Sequence, residues 1–322
     1  MKTLLFALRP LTAFATPPHG DTLFGQLCWI FLNRYGEAWL IERLQGYLQG
    51  KPFLVVSDMF PSGYWPRPYL PPAMLSTGEQ GKEVDRKAEK KKVWFPWYAK
   101  DGWKQKLSHW GGLCRPETEV WKDARKERPQ PRNQINRLTG TTGTDGFAPY
   151  MVSQTWFPED ACLDVWLVYD PDRVTKGELQ DALADVGRWG FGKDASAGLG
   201  KFALEEGDEE SLPRQADANA WMTLGFCAPQ GCGFVSNRSF YQPFTRFGRH
   251  GDRAAVTGQP FKNPILLARA GAVLTPERKF SPNDVFVGQG LGGEGLLSKA
   301  IGETVHQGYA PVVGICLKGE RV

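Results

Sequence analysis

Residues 188–202 read Arg188-Trp189-Gly190-Phe191-Gly192-Lys193-Asp194-Ala195-Ser196-Ala197-Gly198-Leu199-Gly200-Lys201-Phe202, with a Gly-x-Gly pair on either side of a short loop. Glycine reaches positive φ at no Cβ cost and lets a second backbone come close. Successive N–H groups exposed by such a loop form an anion-binding concavity. Lys193, Lys201 and the flanking Arg188 add positive charge, and Ser196 adds a hydroxyl. The chemistry on offer is therefore phosphate binding, through those side chains and the backbone of Gly190, Gly192, Gly198 and Gly200. The plain alternative is a turn joining a helix to a strand. A dinucleotide loop is excluded: the glycines follow a helical pattern, and no G-x-G-x-x-G spacing is met.

A second polar stretch, Arg132-Asn133-Gln134-Ile135-Asn136-Arg137-Leu138-Thr139-Gly140-Thr141-Thr142-Gly143, offers guanidinium, amide and hydroxyl donors suited to phosphates and sugar hydroxyls. Arg132, Asn133, Asn136, Arg137 and Thr139 are its candidate contacts, against the alternative of a polar loop closing a hairpin. A third begins at His19-Gly20-Asp21, where a helix N-terminus follows a glycine and its unpaired N–H groups could meet a phosphate. Asp21 argues instead for ordinary capping. Aromatic residues among the cations of 93–106 fit either stacking on unpaired bases or a hydrophobic strip against a protein partner.

The remaining chemistry is sparse. The histidines (His19, His109, His250, His306) are scattered and read as structural or surface residues rather than catalysts. No H-E-x-x-H, G-x-S-x-G or phosphate-loop lysine pattern occurs. Of six cysteines only Cys227 and Cys232 are close, a poor zinc spacing, so no metal and no cofactor is expected. They read as small buried residues of a reducing compartment. The N-terminal apolar run is too brief for a signal peptide followed by a folded helix, and no long apolar run predicts a membrane span; a cytoplasmic location is expected.

These stretches must be held by flanking elements. The pattern predicts a strand at 3–9, a helix from an Asp21 cap through Leu23, Phe24, Leu27, Cys28, Ile30 and Phe31, a helix at 37–48 and a strand at 53–57. Paired strands are expected at 152–157 and 163–169 around Pro158-Glu159-Asp160, a Thr175-capped helix at 175–186, and a strand at 201–204. That order is close to a ferredoxin-like β-α-β-β-α-β unit. Beyond an acidic segment at 205–210, strands are expected at 221–228, 234–240, 264–274 and 310–317, with a second glycine run at 288–295. The class is α+β: two ferredoxin-like (RRM-like) domains, 1–205 and 206–322, the second degenerate. A basic, aromatic-rich insertion spans about 60–145 of the first.

Net charge over the 322 residues is only +4, but residues 81–140 hold sixteen Lys and Arg against eight Asp and Glu. That asymmetry points to one region facing a polyanion.

The loop 190–200, the His19–Trp29 stretch H-G-D-T-L-F-G-Q-L-C-W and the 132–143 stretch R-N-Q-I-N-R-L-T-G together resemble the RAMP superfamily of CRISPR-associated proteins. Within it they resemble the fourth Csm subunit of type III-A effector complexes, a Cas-five-like group. The resemblance touches most of 1–205 and loosely 306–317; the basic insertion and the second glycine run depart from it. It implies two RRM-like halves and a non-catalytic subunit gripping the 5′ repeat-derived handle of a CRISPR RNA. It also implies docking beside the large polymerase-like subunit and an adjacent backbone RAMP subunit. Handle phosphates would then lie on the glycine loop, the 132–139 residues on the same strand, with a thumb-like hairpin in the insertion. RRM-like sheets with basic loops suit single-stranded RNA independently of the resemblance. Two rivals stand beside this reading: a Cas-six-like processing endoribonuclease with His19 as general acid or base, and a protein–protein assembly module using exposed tryptophans.

Overall fold

Lys2–Pro10 alternates in burial, and the strand it forms, β1, turns Leu4, Phe6 and Leu8 to one covered face. The computed structural model describes residues 1–75, 85–122, 124–143, 147–205, 207–256 and 258–317. After β1 come α1 (Gly20–Tyr35), α2 (Glu37–Leu44) and β2 (Leu54–Val56). The α1 helix starts at a His19 cap, so Asp21 lies in the first turn rather than capping it, and its carboxylate is used elsewhere.

The insertion follows: β3 (Phe60–Pro61), β4 (Tyr64–Pro66), α3 (Pro72–Leu75), α4 (Arg86–Lys91), β5 (Lys92–Pro96), α5 (Leu107–Leu113), β6 (Arg115–Pro116) and α6 (Glu117–Val120), then a hairpin of β7 (Lys126–Arg132) and β8 (Tyr150–Trp156). The chain re-enters the first sheet with β9 (Leu163–Tyr169), α7 (Lys176–Trp189), β10 (Phe202–Leu204) and β11 (Asp208–Glu209). A full capping box starts α7: Glu178 N donates to Thr175 Oγ1 at 3.2 Å, and Thr175 N to Glu178 Oε2 at 2.7 Å.

The first sheet runs β10-β1-β9-β2, neighbours antiparallel, so its chain path is β-α-β-β-α-β with the insertion between β2 and β9. Leu23, Leu27 and Phe31 of α1 and Leu179, Leu183 and Val186 of α7 pack into one core with β1, β2 and β9. Each such Leu or Phe contributes roughly 1.5–3 kcal/mol on full burial. All seven residues of β9 are buried, because its other face is covered as well.

That cover overturns two expectations. Strand 150–156 pairs with β7, not with β9, since β9 already lies between β1 and β2. Tyr98 stays exposed, but much of the insertion's aromatic content is covered: Trp65 stacks on Trp97 at 4.9 Å and Phe95 on Trp110 at 3.9 Å. With Trp166 of β9 and Met222, Val313 and Ile315 of the second half they form a shared core. Stacking on bases and docking on a partner are both closed to Phe95 and Trp97. Of the charge-dense 82–92 segment, 82–84 lie outside the described residues, as does Glu206 of the acidic segment.

The second half contains β12 (Ala220–Thr223), β13 (Pro243–Arg246), β14 (Ile265–Ala268), β15 (Val273–Leu274), β16 (Phe286–Gly288), β17 (Leu291–Gly292), β18 (Val305–His306) and β19 (Tyr309–Ile315). Its main sheet runs β15-β12-β19-β16, and among its described residues there is no α-helix. Residues 234–240 form a short 3-10 turn around Ser236–Arg238 instead of a strand. Residues 264–274 break into β14 and β15 around Gly271, whose φ is +89°. The acidic pair Asp208–Glu209 extends the first sheet by pairing with β1.

Candidate nucleic-acid interface

The glycine loop closes on itself. Phe191 N donates to Gly200 O and Gly200 N to Ala13 O, both at 2.8 Å. Gly190 and Gly200 have φ of +108° and +73°, and a Cβ on Gly200 would lie 2.1 Å from the Phe191 carbonyl oxygen. Close backbone approach therefore requires the glycine. The neighbouring amides are also engaged: Gly192 N donates to Gln26 Oε1 at 3.1 Å, Lys193 N to Thr16 Oγ1 at 2.8 Å and Lys201 N to Thr12 Oγ1 at 2.9 Å. This is a correction to the backbone cradle expected from the glycine spacing, because those N–H groups close the loop and fasten it to residues 12–16 and to Gln26 of α1. What the loop offers outward is side chains. Lys193 and Ser196 are exposed and Lys201 half-buried. Arg188 is exposed and pairs with Asp185.

The 132–143 stretch forms the end of the β7–β8 hairpin. Asn136 N donates to Thr141 O at 3.0 Å and Leu138 N to Asn136 Oδ1 at 2.9 Å, while the Thr139 and Thr141 hydroxyls lie 2.9 Å apart. Asn133, Arg137 and Thr139 are exposed, Arg132 and Asn136 half-buried. The register sets Arg132 opposite Tyr150, so both side chains share a face with Lys126 and Arg128, which stand opposite Trp156 and Gln154. Pro129 and Pro131 lie at the intervening positions, which leaves the free edge of β7 short of donors.

The two predicted stretches meet at Tyr150. Lys193 Nζ lies 5.8 Å from the centre of the Tyr150 ring, within cation–π reach. The Phe14 and Thr155 backbones exchange hydrogen bonds at 2.9 and 2.8 Å, which seats the hairpin on the segment that holds the glycine loop. Arg132, Tyr150 and Lys193 thus form one cationic, aromatic edge.

His19 and Gly20 do not join that edge. Gly20 is buried and its N–H donates to Asp58 Oδ1 at 2.8 Å, so the start of α1 is closed to an anion. His19 Nδ1 lies 3.4 Å from Asp58 Oδ2, and the ring packs edge-on against Phe226 at 4.6 Å. His19 and Asp58 lie on the wall of a cleft of about 1390 Å³ between the insertion and the second half.

Beside them is a buried charge cluster that sequence patterns did not reveal. Arg246 Nε lies 2.7 Å and His306 Nε2 3.2 Å from Asp21 Oδ2. Burial alone would raise the Asp21 pKa, but the His306 hydrogen bond and the charges of His306, Arg246 and His19 hold it well below the usual carboxylate range. Burial lowers the pKa of His306 and of Lys262 nearby. The three-residue reach from Asp21 to Arg246 and His306 spans most of the chain, so no local motif could show it.

Among the described residues no cluster of His, Cys, Asp and Glu is suited to hold a metal ion, and all six cysteines are free thiols. No described helix is long and apolar enough to cross a membrane.

No family model and no curated protein matches the sequence. Solved structures do share the fold. One chain of a Csm1-Csm4 cassette crystallised with pppApA aligns at TM-score 0.61 and 17% identity, covering 99% of this chain and 100% of that one. The same cassette with cA4 gives 0.62 and 16% at equal coverage. A Csm3-Csm4 subcomplex of the type III-A CRISPR-Cas interference complex gives 0.53 and 13%, covering 95% and 99%. This chain shares the fold of a chain found in these Csm1-Csm4 and Csm3-Csm4 assemblies. In this fold the glycine loop and the hairpin both belong to the first sheet's half, whereas the charge cluster ties α1 to the second.

Proposed function

We propose that the chain is a non-catalytic CRISPR RNA-binding subunit of a type III, Csm-like interference complex. It holds the 5′ repeat-derived handle and docks the large polymerase-like subunit and a neighbouring backbone RAMP subunit. The two sheets are then two ferredoxin-like units, the second degenerate, dividing near residue 205. The observation that carries the RNA reading is the edge where Lys193 meets Tyr150 opposite Arg132. An aromatic face flanked by cations suits a single strand, whose bases stack while its phosphates pair. Arg137, Asn133 and Thr139 continue the edge along the hairpin, with Asn136 shaping its turn, and Ser196, Arg188 and Lys201 continue it along the loop. The assembly reading rests on the Csm4-like fold, whose solved examples lie in Csm1-Csm4 and Csm3-Csm4 assemblies.

The test is single-stranded RNA binding across a salt series for the triple variant Lys193→Ala, Arg132→Ala, Arg137→Ala. Removing three phosphate contacts should flatten the salt slope by about 2 and weaken binding more than tenfold. Unchanged affinity and slope would overturn the reading. The small RNA and polypeptides that co-purify with the native protein test the assembly half.

One observation favours the endoribonuclease rival: His19 is oriented by Asp58 on an open cleft. Incubation with repeat RNA decides between them, since cleavage abolished by His19→Ala requires an enzyme. The assembly-module rival loses Trp65, Trp97 and Trp110 to the core, keeping Trp156 and Trp189 exposed.

A further inference from the structure

The cleft beside His19 is a second feature of the molecule, apart from the hairpin edge. One wall is the insertion, with Arg67, Tyr69, Lys90, Lys92 and Trp94; the other is the second half, with Phe226, Phe240, Tyr241 and Arg269. Two hydrogen bonds fix its width: Tyr69 N donates to Gly271 O at 2.8 Å, and Tyr69 Oη to Gln242 Oε1 at 2.9 Å. Its volume, about 1390 Å³, exceeds the roughly 300–1,000 Å³ of small-ligand sites.

The charge in it is one-sided. Among the described lining residues the two carboxylates are already engaged: Asp58 accepts from Gly20 N and faces His19, and Glu89 pairs with Lys92 and Arg67. Arg269 is held with its guanidinium 4.4 Å from the centre of the Phe244 ring, and its Nε has no hydrogen-bond partner. Trp94 Nε1 likewise lacks one. Asp58 holds the Nδ1 side of the His19 ring, leaving the other nitrogen turned from that carboxylate.

From these walls we infer that the cleft is a nucleotide-binding site. The base lies among Trp94, Tyr69, Phe240 and Tyr241, and its phosphate meets Arg269 and Lys90. Aromatic side chains beside surplus positive charge match a planar, anionic ligand. An acidic peptide would satisfy the cations but leave the aromatic walls without a flat partner. The same chemistry is offered by a free nucleotide or by the terminal nucleotide of an RNA strand. The inference does not depend on the hairpin edge holding RNA.

Calorimetric titration of the full chain with ATP, AMP and inorganic phosphate tests it. AMP and ATP should saturate one site, AMP at least tenfold tighter than phosphate. Arg269→Gln should weaken both nucleotides at least tenfold, and Tyr241→Ala, at an exposed position that folding does not need, several-fold. Lys193→Ala should leave them unchanged, which separates this site from the hairpin edge. A 5′-phosphorylated octaribonucleotide that displaces AMP would assign the site to a strand end, and one that does not would assign it to free nucleotide. No saturable nucleotide binding, phosphate binding as tightly as AMP, affinities unaltered in both cleft variants, or saturation by an acidic peptide alone would each overturn the inference.

Discussion

The Arg246 guanidinium clamps the Asp21 carboxylate, with Nε 2.7 Å from Oδ2 and Nη2 3.1 Å from Oδ1, and the Asp21 side chain has no solvent exposure. The pair joins the first turn of α1 to β13, on opposite halves of the chain. Breaking a buried pair by removing one partner strands the other charge, at a cost of about 3–5 kcal/mol. Asp21→Ala should therefore lower unfolding stability by that amount, more than Arg246→Met, which leaves His306 to donate to Asp21. Chemical denaturation measures both, and a loss below about 1 kcal/mol for Asp21→Ala would refute the clamp.

Two buried histidines set a pH dependence. Burial lowers the pKa of His306 and of His250, whose Nε2 lies 2.7 Å from Ser298 Oγ. A folded-state pKa below the unfolded value, about 6.5, means that the unfolded chain takes up protons first as pH falls. Their stabilisation is complete above that value and is lost as pH falls through the folded pKa values. Asp21, also depressed, begins to lose its contribution as the pH falls through the ordinary carboxylate range and has lost it once the pH is below its own folded value. Thermal midpoints should thus fall between pH 7 and 5, then fall again in stronger acid. The double variant His250→Gln, His306→Gln should flatten the first fall; a wild-type profile level from 7 to 5 would contradict the assignment.

The N-terminal half was readable because its signals are local. The Thr175 cap three residues before Glu178, the spacing of Leu179, Leu183 and Val186, and the alternation of 2–10 each act within a few residues. The strand at 150–156 was legible as a strand, but its partner was not. Choosing β7 over β9 depends on β9 being sandwiched between β1 and β2, a non-local fact. Phe95 and Trp97 misled for a similar reason. Cations beside aromatics describe an RNA surface as well as a covered core, and only the second sheet packed against them decides. The meeting of Lys193 with Tyr150 and the Asp21 cluster were both beyond any spacing rule.

The glycines of the loop are not equivalent. Gly198 has φ +86° with open space where a Cβ would lie, so Gly198→Ala meets only the left-handed backbone cost of about 1–2 kcal/mol. Gly200, at +73°, adds a collision with the Phe191 backbone, 2.1 Å from its oxygen and 2.5 Å from its nitrogen. Gly200→Ala must open the loop and lose the Phe191–Gly200 hydrogen bond. It should cost clearly more than Gly198→Ala in denaturant midpoint and, on the proposed function, weaken RNA binding by moving Lys193. Equal midpoints for the two variants would count against this account.

The two halves are joined through a side chain that imitates a strand. Gln307, 1% exposed, accepts from Val56 N through Oε1 and donates to Val56 O through Nε2, each at 2.8 Å. It completes the edge of β2 where the second sheet abuts the first. Gln307→Leu keeps the volume but leaves a buried N–H and a buried C=O unpaired, each costing about 1–3 kcal/mol. Gln307→Glu retains an acceptor for the N–H yet sets an acidic oxygen against the carbonyl. Neutralising that oxygen restores a donor, so Gln307→Glu should gain stability relative to Gln307→Leu as pH falls from 7 toward 5. The difference between their denaturant midpoints at the two pH values measures this and cancels the histidine effect common to both. A difference that does not change with pH would show that the amide is not the joint between the halves.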